Sequence, residues 1–329
     1  MLLPLALAML VGCERPPSPA SPAAGPQNRI SSASAVSDVV AATSRPVMRL
    51  RDWVRRPLID ETEREPVALR IVSAAPNVTE ICCALGLRES LVGRTRYCDY
   101  PPEVASVPSI GALIDVNVER LLELRPDLIV VSGRSRAQTE RFAGLGLRLE
   151  SVPDASLHDL FVAIRRVGEL TNRKRTAEQL CGAIRADLEA VTARFADVPP
   201  TRVLLLTGTL SDPPRPPYVA GPGSFYDELL RLAGHENVVP GAQGAFAPLS
   251  LEFIVRADPD VIIELDPDGQ CRPTGDADAR RAWAKVGKLR AATSSRIHVL
   301  TGPEHYLLGP RIAFTYDALC RAIAGRNHE

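Results

Sequence analysis

Charge of one sign is what this chain most plainly lacks: 39 Lys plus Arg are balanced by 39 Asp plus Glu, so the formal net charge is zero at pH 7. With no whole-chain field to gather phosphates, the composition argues against nucleic acid as a partner. Long apolar runs are missing too, since the one strongly apolar terminus, Met1 to Gly12, is roughly half the length that spans a bilayer. Aromatics are sparse at 5 %. His158, His235, His298, His305 and His328 form no HExxH pair, and the cysteines show no CxxC or Cys/His spacing, which removes the common zinc patterns. No phosphate loop ending in Gly-Lys-Ser/Thr occurs, and Gly221-Pro222-Gly223-Ser224-Phe225 lacks the second Gly of a nucleophile elbow. Together these absences point away from an enzyme and away from a resident metal or cofactor.

What the chain does have is a sentence written twice. Asn117 to Val131 aligns without a gap to Ser250 to Glu264, 133 residues later. Each copy reads as a helix cap (Asn117, Ser250), a Glu two residues on (Glu119, Glu252), an apolar helical stripe, a Pro-Asp stop and a buried strand. A helix feeding a strand is half of an α/β unit. A repeat at that distance is a domain length, so two similar α/β sandwich lobes are expected.

Around the repeats the pattern is orderly. Leu58 to Val67 reads as a short hairpin, Arg70 to Ala74 as a strand, and Pro76 to Leu85 as a helix capped by Asn77 and stopped by Gly86. A strand over Leu91 to Thr95 empties into the loop Tyr97 to Pro102; a helix around Gln138 to Ala143 and a strand near Leu147 to Val152 close the first lobe. Ser156 to Phe195 is helical with a break near Thr171-Asn172, and its second piece would extend roughly 33 Å, a stiff connector between lobes. The second lobe begins at the strand Val203 to Leu206. It continues with a helix from Phe225 to Leu232, capped by Ser224 with Asp227 as reciprocal partner, the second repeat copy, a helical stretch Ala279 to Leu289, a strand Ile297 to Leu300 and a helix Arg311 to Ile323. Adjacent Cys82 and Cys83 read as buried small hydrophobes. The expected boundaries are thus a signal peptide at 1–12, a linker at 13–57, a first lobe at 58–156, connecting helices at 157–198 and a second lobe at 199–329.

The N-terminus carries its own signal. Leu10-Val11-Gly12-Cys13 resembles a bacterial lipobox, in which cleavage leaves Cys13 as a lipidated N-terminus on a Pro-, Ser- and Ala-rich tether. That arrangement predicts an extracytoplasmic, membrane-anchored lipoprotein. No Lys or Arg precedes the apolar stretch, which points to a start codon further upstream.

Val72 to Glu80, Tyr97 to Glu103, both repeat copies, Gly221 to Asn237 and Gly309-Pro310-Arg311 together resemble the substrate-binding proteins of iron-siderophore, haem and vitamin B12 ABC importers, the vitamin B12 binders nearest. The resemblance covers about residues 58 to 325. It implies a class III periplasmic-binding-protein fold, two α/β lobes joined by a single rigid helix, a shallow cleft that barely closes, and a monomer that delivers its ligand to a permease dimer with its ATPase. In that family a Glu on each lobe meets permease arginines; the matching positions are Glu119 and Glu252. A carboxylate at a helix start also simply complements the helix dipole, by about 0.3–1 kcal/mol, and the two roles are compatible.

Tyr97 matches an aromatic that lies against the corrin in the vitamin B12 binders, and Phe246 falls where those carry a tryptophan. Tyr100 shares the Tyr97 loop, and Gly223 and Ser224 at a helix start suit an anionic ligand edge, though such a loop is more often only a tight turn and cap. The sequence departs from the resemblance at Leu113, where a second Trp is expected, and in the loop Gly302 to Gly309, which offers Glu304, His305 and Tyr306 instead of Asp and Arg. His and Tyr can ligate iron, so haem stays open beside ordinary loop polarity. Cys320 matches a disulfide partner, but Ala233 stands at the other end. A corrinoid is the favoured ligand, haem or a ferric siderophore the alternative. A ligand-sensing lipoprotein outside transport is the rival from another class.

Overall fold

The computed structural model describes residues 50–65, 68–112, 115–133, 144, 146–210, 214–267 and 275–326. They fall within one compact unit, Val47–Glu329. It starts earlier than residue 58: helix α1 (Leu50–Arg55) buries Trp53 and Val54, and the Trp53 indole N–H donates to the Ala84 carbonyl at 3.2 Å. The expected hairpin over 58–67 is instead a 3-10 turn at Glu61–Glu63. Its Glu63 carboxylate accepts from the Arg175 and Thr176 N–H groups and from the Thr176 hydroxyl. Those N–H groups belong to the free first turn of a long helix, which is a better partner for an acidic segment than a second strand.

The first lobe runs β1 (Ile71–Ser73), α2 (Pro76–Ala84), β2 (Leu91–Arg94), β3 (Gly111–Ala112), β4 (Asp115–Val116), α3 (Val118–Glu123), β5 (Leu128–Ser132) and β6 (Leu149–Val152). Its sheet is parallel throughout, in the order β2-β1-β5-β6. Helix α2 stops before Gly86, whose φ of +73° only glycine takes without strain. Asn77 is not its cap. Pro76 holds the first helical position, Ala75 precedes it, and the Asn77 amide donates to Ser132 Oγ at 2.8 Å. Proline's fixed φ starts the helix without a side-chain acceptor, leaving Asn77 free to tie helix to sheet. The helix expected near Gln138 to Ala143 lies outside the described residues, as does Leu113.

The connector is two helices, α4 (Leu157–Leu170) and α5 (Lys174–Arg194), with the break at Thr171–Asn172. Ser156 and Asp159 form a reciprocal capping box at the start of α4. A Cβ at Gly168 would stand 2.6 Å from the Ala177 Cβ and 2.9 Å from the Arg173 carbonyl oxygen, so glycine is what lets the two helices close on each other.

The second lobe runs β7 (Arg202–Leu206), β8 (Tyr218–Ala220), α6 (Phe225–Leu232), β9 (Glu236–Asn237), β10 (Phe246–Pro248), α7 (Leu251–Ala257), β11 (Val261–Asp266), α8 (Asp276–Ala284), α9 (Arg290–Thr293), β12 (Ile297–Thr301) and α10 (Ile312–Ala324). Strands β7, β11 and β12 are parallel, while β8 and β10 add antiparallel pairs at one edge. The helical stretch expected over 279–289 divides into α8 and α9.

The central strands β1, β5, β7 and β11 are buried on both faces, as their largely apolar runs require. The inward side chains Ile71, Val130, Val203, Leu205 and Ile263 share one apolar cluster with Leu160, Ile164, Leu180, Ile184 and Leu188 of the connector. Outward side chains form separate cores, Val72, Ile129 and Leu121 in one lobe and Leu204, Ile262 and Trp283 in the other. The two lobes and their connector therefore share a continuous apolar interior, a physical basis for a stiff molecule. Cys82, Cys83, Cys98, Cys181 and Cys320 are free and buried, and burial pushes the Cys82 thiol up to about 12.

Candidate functional site

The repeated module sets out the first pair of residues. In each lobe a helix cap accepts a hydrogen bond from the backbone three residues on: Asn117 Oδ1 from Arg120 N at 2.8 Å, Ser250 Oγ from Phe253 N at 3.2 Å. Glu119 and Glu252 follow each cap by two residues, both exposed, and neither carboxylate has an ion-pair or hydrogen-bond partner among the described residues. Each helix then ends the same way, with a residue at φ +43° (Arg125, Asp258), a Pro and an Asp. The Asp accepts from the backbone N–H of an Arg that opens the neighbouring strand: Asp127 from Arg70 at 2.8 Å, Asp260 from Arg202 at 3.1 Å. That Arg in turn donates to the helix C-terminus, Arg70 to the Leu124 carbonyl and Arg202 to the Ala257 carbonyl. The carboxylates are thus presented by two equally braced supports.

Aromatic residues set out the second group. Tyr97 is 59 % exposed and Phe246 48 %. The guanidinium of Arg96 sits 5.5 Å from the Tyr97 ring centre, and the loop is held by Arg96 N donating to the Gly111 carbonyl and Cys98 N to that of Thr95. Phe246 lies edge-on to Tyr226, ring centres 6.3 Å apart. Tyr218, 43 % exposed, lies on β8 two residues from the partner of Phe246, and the alternation of strands puts both side chains on one face of the antiparallel pair. Tyr218 belongs to no motif in the sequence, where an aromatic beside Pro217 at a strand start is its signal.

The other expected ligand residues are placed inside. Ser224 is fully buried, its hydroxyl donating to the Gly221 carbonyl at 2.7 Å and accepting from Asp227 N. Asp227 does not complete a reciprocal box; its carboxylate accepts from the Asn237 amide at 3.1 Å and pairs with Arg231. The His305 ring is buried, stacked on Phe314 with centres 5.5 Å apart, its Nδ1 3.4 Å from Thr315 Oγ1. Tyr306, partly buried, donates from its hydroxyl to the Leu265 carbonyl at 2.8 Å.

Contacts nonetheless connect these positions across the molecule. Phe246 touches Tyr226, whose hydroxyl donates to the His305 carbonyl at 2.6 Å. Six residues on from His305, the Arg311 guanidinium lies 3.8 Å from the ring centre of Tyr100, in the loop that carries Tyr97. Arg311 also donates to both carboxylate oxygens of Glu80, at 2.6 and 3.0 Å, with both side chains buried. Burial works against the charge on Arg311, but the Glu80 hydrogen bonds outweigh it and hold its pKa above the ordinary arginine value. Burial pushes the Glu80 carboxyl up, against the pull of Arg311. Burial likewise pushes the Tyr226 phenol up, so it stays a neutral donor.

A family model described as periplasmic binding protein matches residues 71–293. This chain belongs to the periplasmic binding protein family. It is 26 % identical over 262 residues to the vitamin B12-binding protein of Salmonella typhimurium (strain LT2), covering 79 % of this chain and 92 % of that one. It is 28 % identical over 218 residues to an uncharacterised ABC transporter substrate-binding lipoprotein of Bacillus subtilis, covering 63 % and 68 %. Among solved structures, the apo periplasmic haem-binding protein RhuT from Roseiflexus sp. RS-1 superposes with a TM-score of 0.66 at 28 % identity, covering 78 % of this chain and 98 % of that one. As a periplasmic binding protein of this branch, the chain is a non-enzymatic, extracytoplasmic component of an ABC transporter that takes a small ligand and works with a permease and its ATPase. Its two α/β lobes are the family's architecture. No helix among the described residues is long and apolar enough to cross a membrane.

Proposed function

We propose that this protein captures a corrinoid between its lobes and delivers it to an importer permease, held at the membrane by a lipid on Cys13. The observation that carries the reading is the exposure of Tyr97 and Phe246, aromatic faces left open on a chain that has few aromatics and buries most of its apolar side chains. A wide, flat macrocycle is the ligand such faces hold, and Tyr218 beside Phe246 extends the second of them. Tyr100, Ser224, His305 and Tyr306 shape the site from behind, since their contacts run to protein atoms. The likeness to the Salmonella vitamin B12-binding protein favours the corrinoid. Glu119 and Glu252 are the permease contacts, one exposed carboxylate per lobe on like supports.

Haem is the second reading, favoured by the likeness to the Roseiflexus protein and by the open phenol of Tyr97, a group able to ligate ferric iron. Titration calorimetry of the purified protein with cyanocobalamin, cobinamide, haemin and a ferric siderophore separates the two. Saturable binding of both corrinoids, weakened at least tenfold by Tyr97→Ala and Phe246→Ala, is the expected result. Binding of haemin alone would replace the corrinoid reading, and binding of none would remove transport of any of these ligands.

A further inference from the structure

The contact between lobes at Arg311 is built more elaborately than a simple bolt needs. Arg311 opens the approach to α10 in the second lobe, yet its guanidinium is seated among first-lobe groups: its edge on Glu80 of α2, its face on the ring of Tyr100. Glu304 of its own lobe stands 3.9 Å from Nη1. Beside it, the Asn77 amide reaches from α2 toward the Leu308 carbonyl at 3.5 Å, and a Cβ at Gly309 would already touch Asn77 and Glu80. A planar fork that bonds a carboxylate along its edge and stacks an aromatic on its face uses both properties that set Arg apart from Lys. Buried ion pairs contribute little net stability, and in some proteins they select a single geometry.

We propose that Arg311 is a positioning residue for the ligand cleft, reaching from the second lobe to fix Tyr100 and through it the loop that presents Tyr97. The inference rests on the reading of Tyr97 as ligand-facing. Within the first lobe the loop is held by Cys98 N on the Thr95 carbonyl, Val104 N on that of Pro101 and Arg96 N on that of Gly111, and the Tyr100 ring against Arg311 links it to the opposite lobe.

Hydrogen exchange of the ligand-free protein, followed by mass spectrometry over residues 95–104, tests this without any ligand. Glu80→Met with Arg311→Met removes both charges together, so no unpaired ion is left buried; Tyr100→Leu removes the stack. Each should speed exchange in that segment about tenfold, and the triple variant should add nothing further, with β5 and β11 unchanged throughout. Exchange within twofold of wild type in 95–104, additive effects in the triple variant, or acceleration spread equally over β5 and β11 would overturn the proposal. If the charge-free pair does not fold, Arg311→Lys, which keeps the charge and loses the flat face, takes its place with the same expectations. A parallel titration with cyanocobalamin and haemin should show both loosened variants weakened at least fivefold. If wild type binds neither ligand, the ligand reading fails while the exchange result still decides the role of Arg311.

Discussion

The two lobes are the same module put to different ends. Each has a strand opened by an Arg, a short capped helix with an exposed Glu, a left-handed residue, Pro-Asp, and a buried strand parallel to the first. They part company outside that frame. The first sheet is parallel throughout, whereas the second adds the antiparallel strands that carry Tyr218 and Phe246. Where the first lobe has Val131, the second buries Glu264, whose Oε1 accepts from the Trp283 indole at 2.8 Å and the Leu210 backbone at 3.1 Å. In the first lobe Asp127 braces Arg70, whereas Asp258 and Asp260 also bind Arg290. The repeat keeps an exposed Glu on a like brace in both lobes, while exposed Tyr218 and Phe246 lie on strands that the first sheet lacks.

The largest expected effect separates the outer cores. Trp283→Ala should cost about 4 kcal/mol, from the cavity and from the indole donor taken from buried Glu264. Because the lobes share an inner core, urea unfolding should remain a single transition; an early separate loss of the second lobe would show that they fold independently. Next, Glu119→Ala and Glu252→Ala should each reduce cellular uptake of the ligand tenfold or more while its affinity stays within twofold. A loss from only one of them would break the symmetry of docking.

A smaller effect follows from the paired aspartates. Asp127→Ala should cost about 1–2 kcal/mol by leaving the Arg70 N–H unmatched. Asp260→Ala should cost more, since Arg290 loses a partner as well; equal losses in chemical denaturation would mean that the brace alone matters. The smallest expected effect belongs to the second lobe alone. Burial, with the charge of Arg296 adding to it, lowers the His235 pKa below its ordinary 6.5. The unfolded chain then binds the proton more readily, so this contribution is present above about pH 6.5 and lost as pH falls through the unfolded value toward the folded one. Asp187, raised by burial to about 6, acts in the opposite direction. The difference between wild type and His235→Leu isolates the histidine: wild type should lose more stability than the variant between pH 7 and pH 5, by about 1 kcal/mol or less.

Much of this was legible beforehand because the signals are local. The repeat, the caps Asn117 and Ser250, the strand cores and the break at Asn172 each arise within a few residues, where propensity and period act directly. The α1 packing was not legible, since Leu50–Arg55 sits in an Arg-rich stretch and only Trp53 docking on Ala84 makes it part of the core. Asn77 misled for a related reason: a good cap residue was drawn to a partner 55 positions away.

The sequence alone therefore determined the two-lobed frame, the stiff connector, the positions of Glu119 and Glu252 and the loop of Tyr97, because periodicity, capping and internal repetition are written in consecutive residues. Only the tertiary structure decided which polar and aromatic groups are spent on the protein itself. The hydroxyl of Ser224 and the ring of His305 are buried in packing, and Arg311 is committed to Glu80 across 231 positions. Burial and pairing depend on which distant segments fold against each other, and that is settled by the shared core rather than by any local pattern.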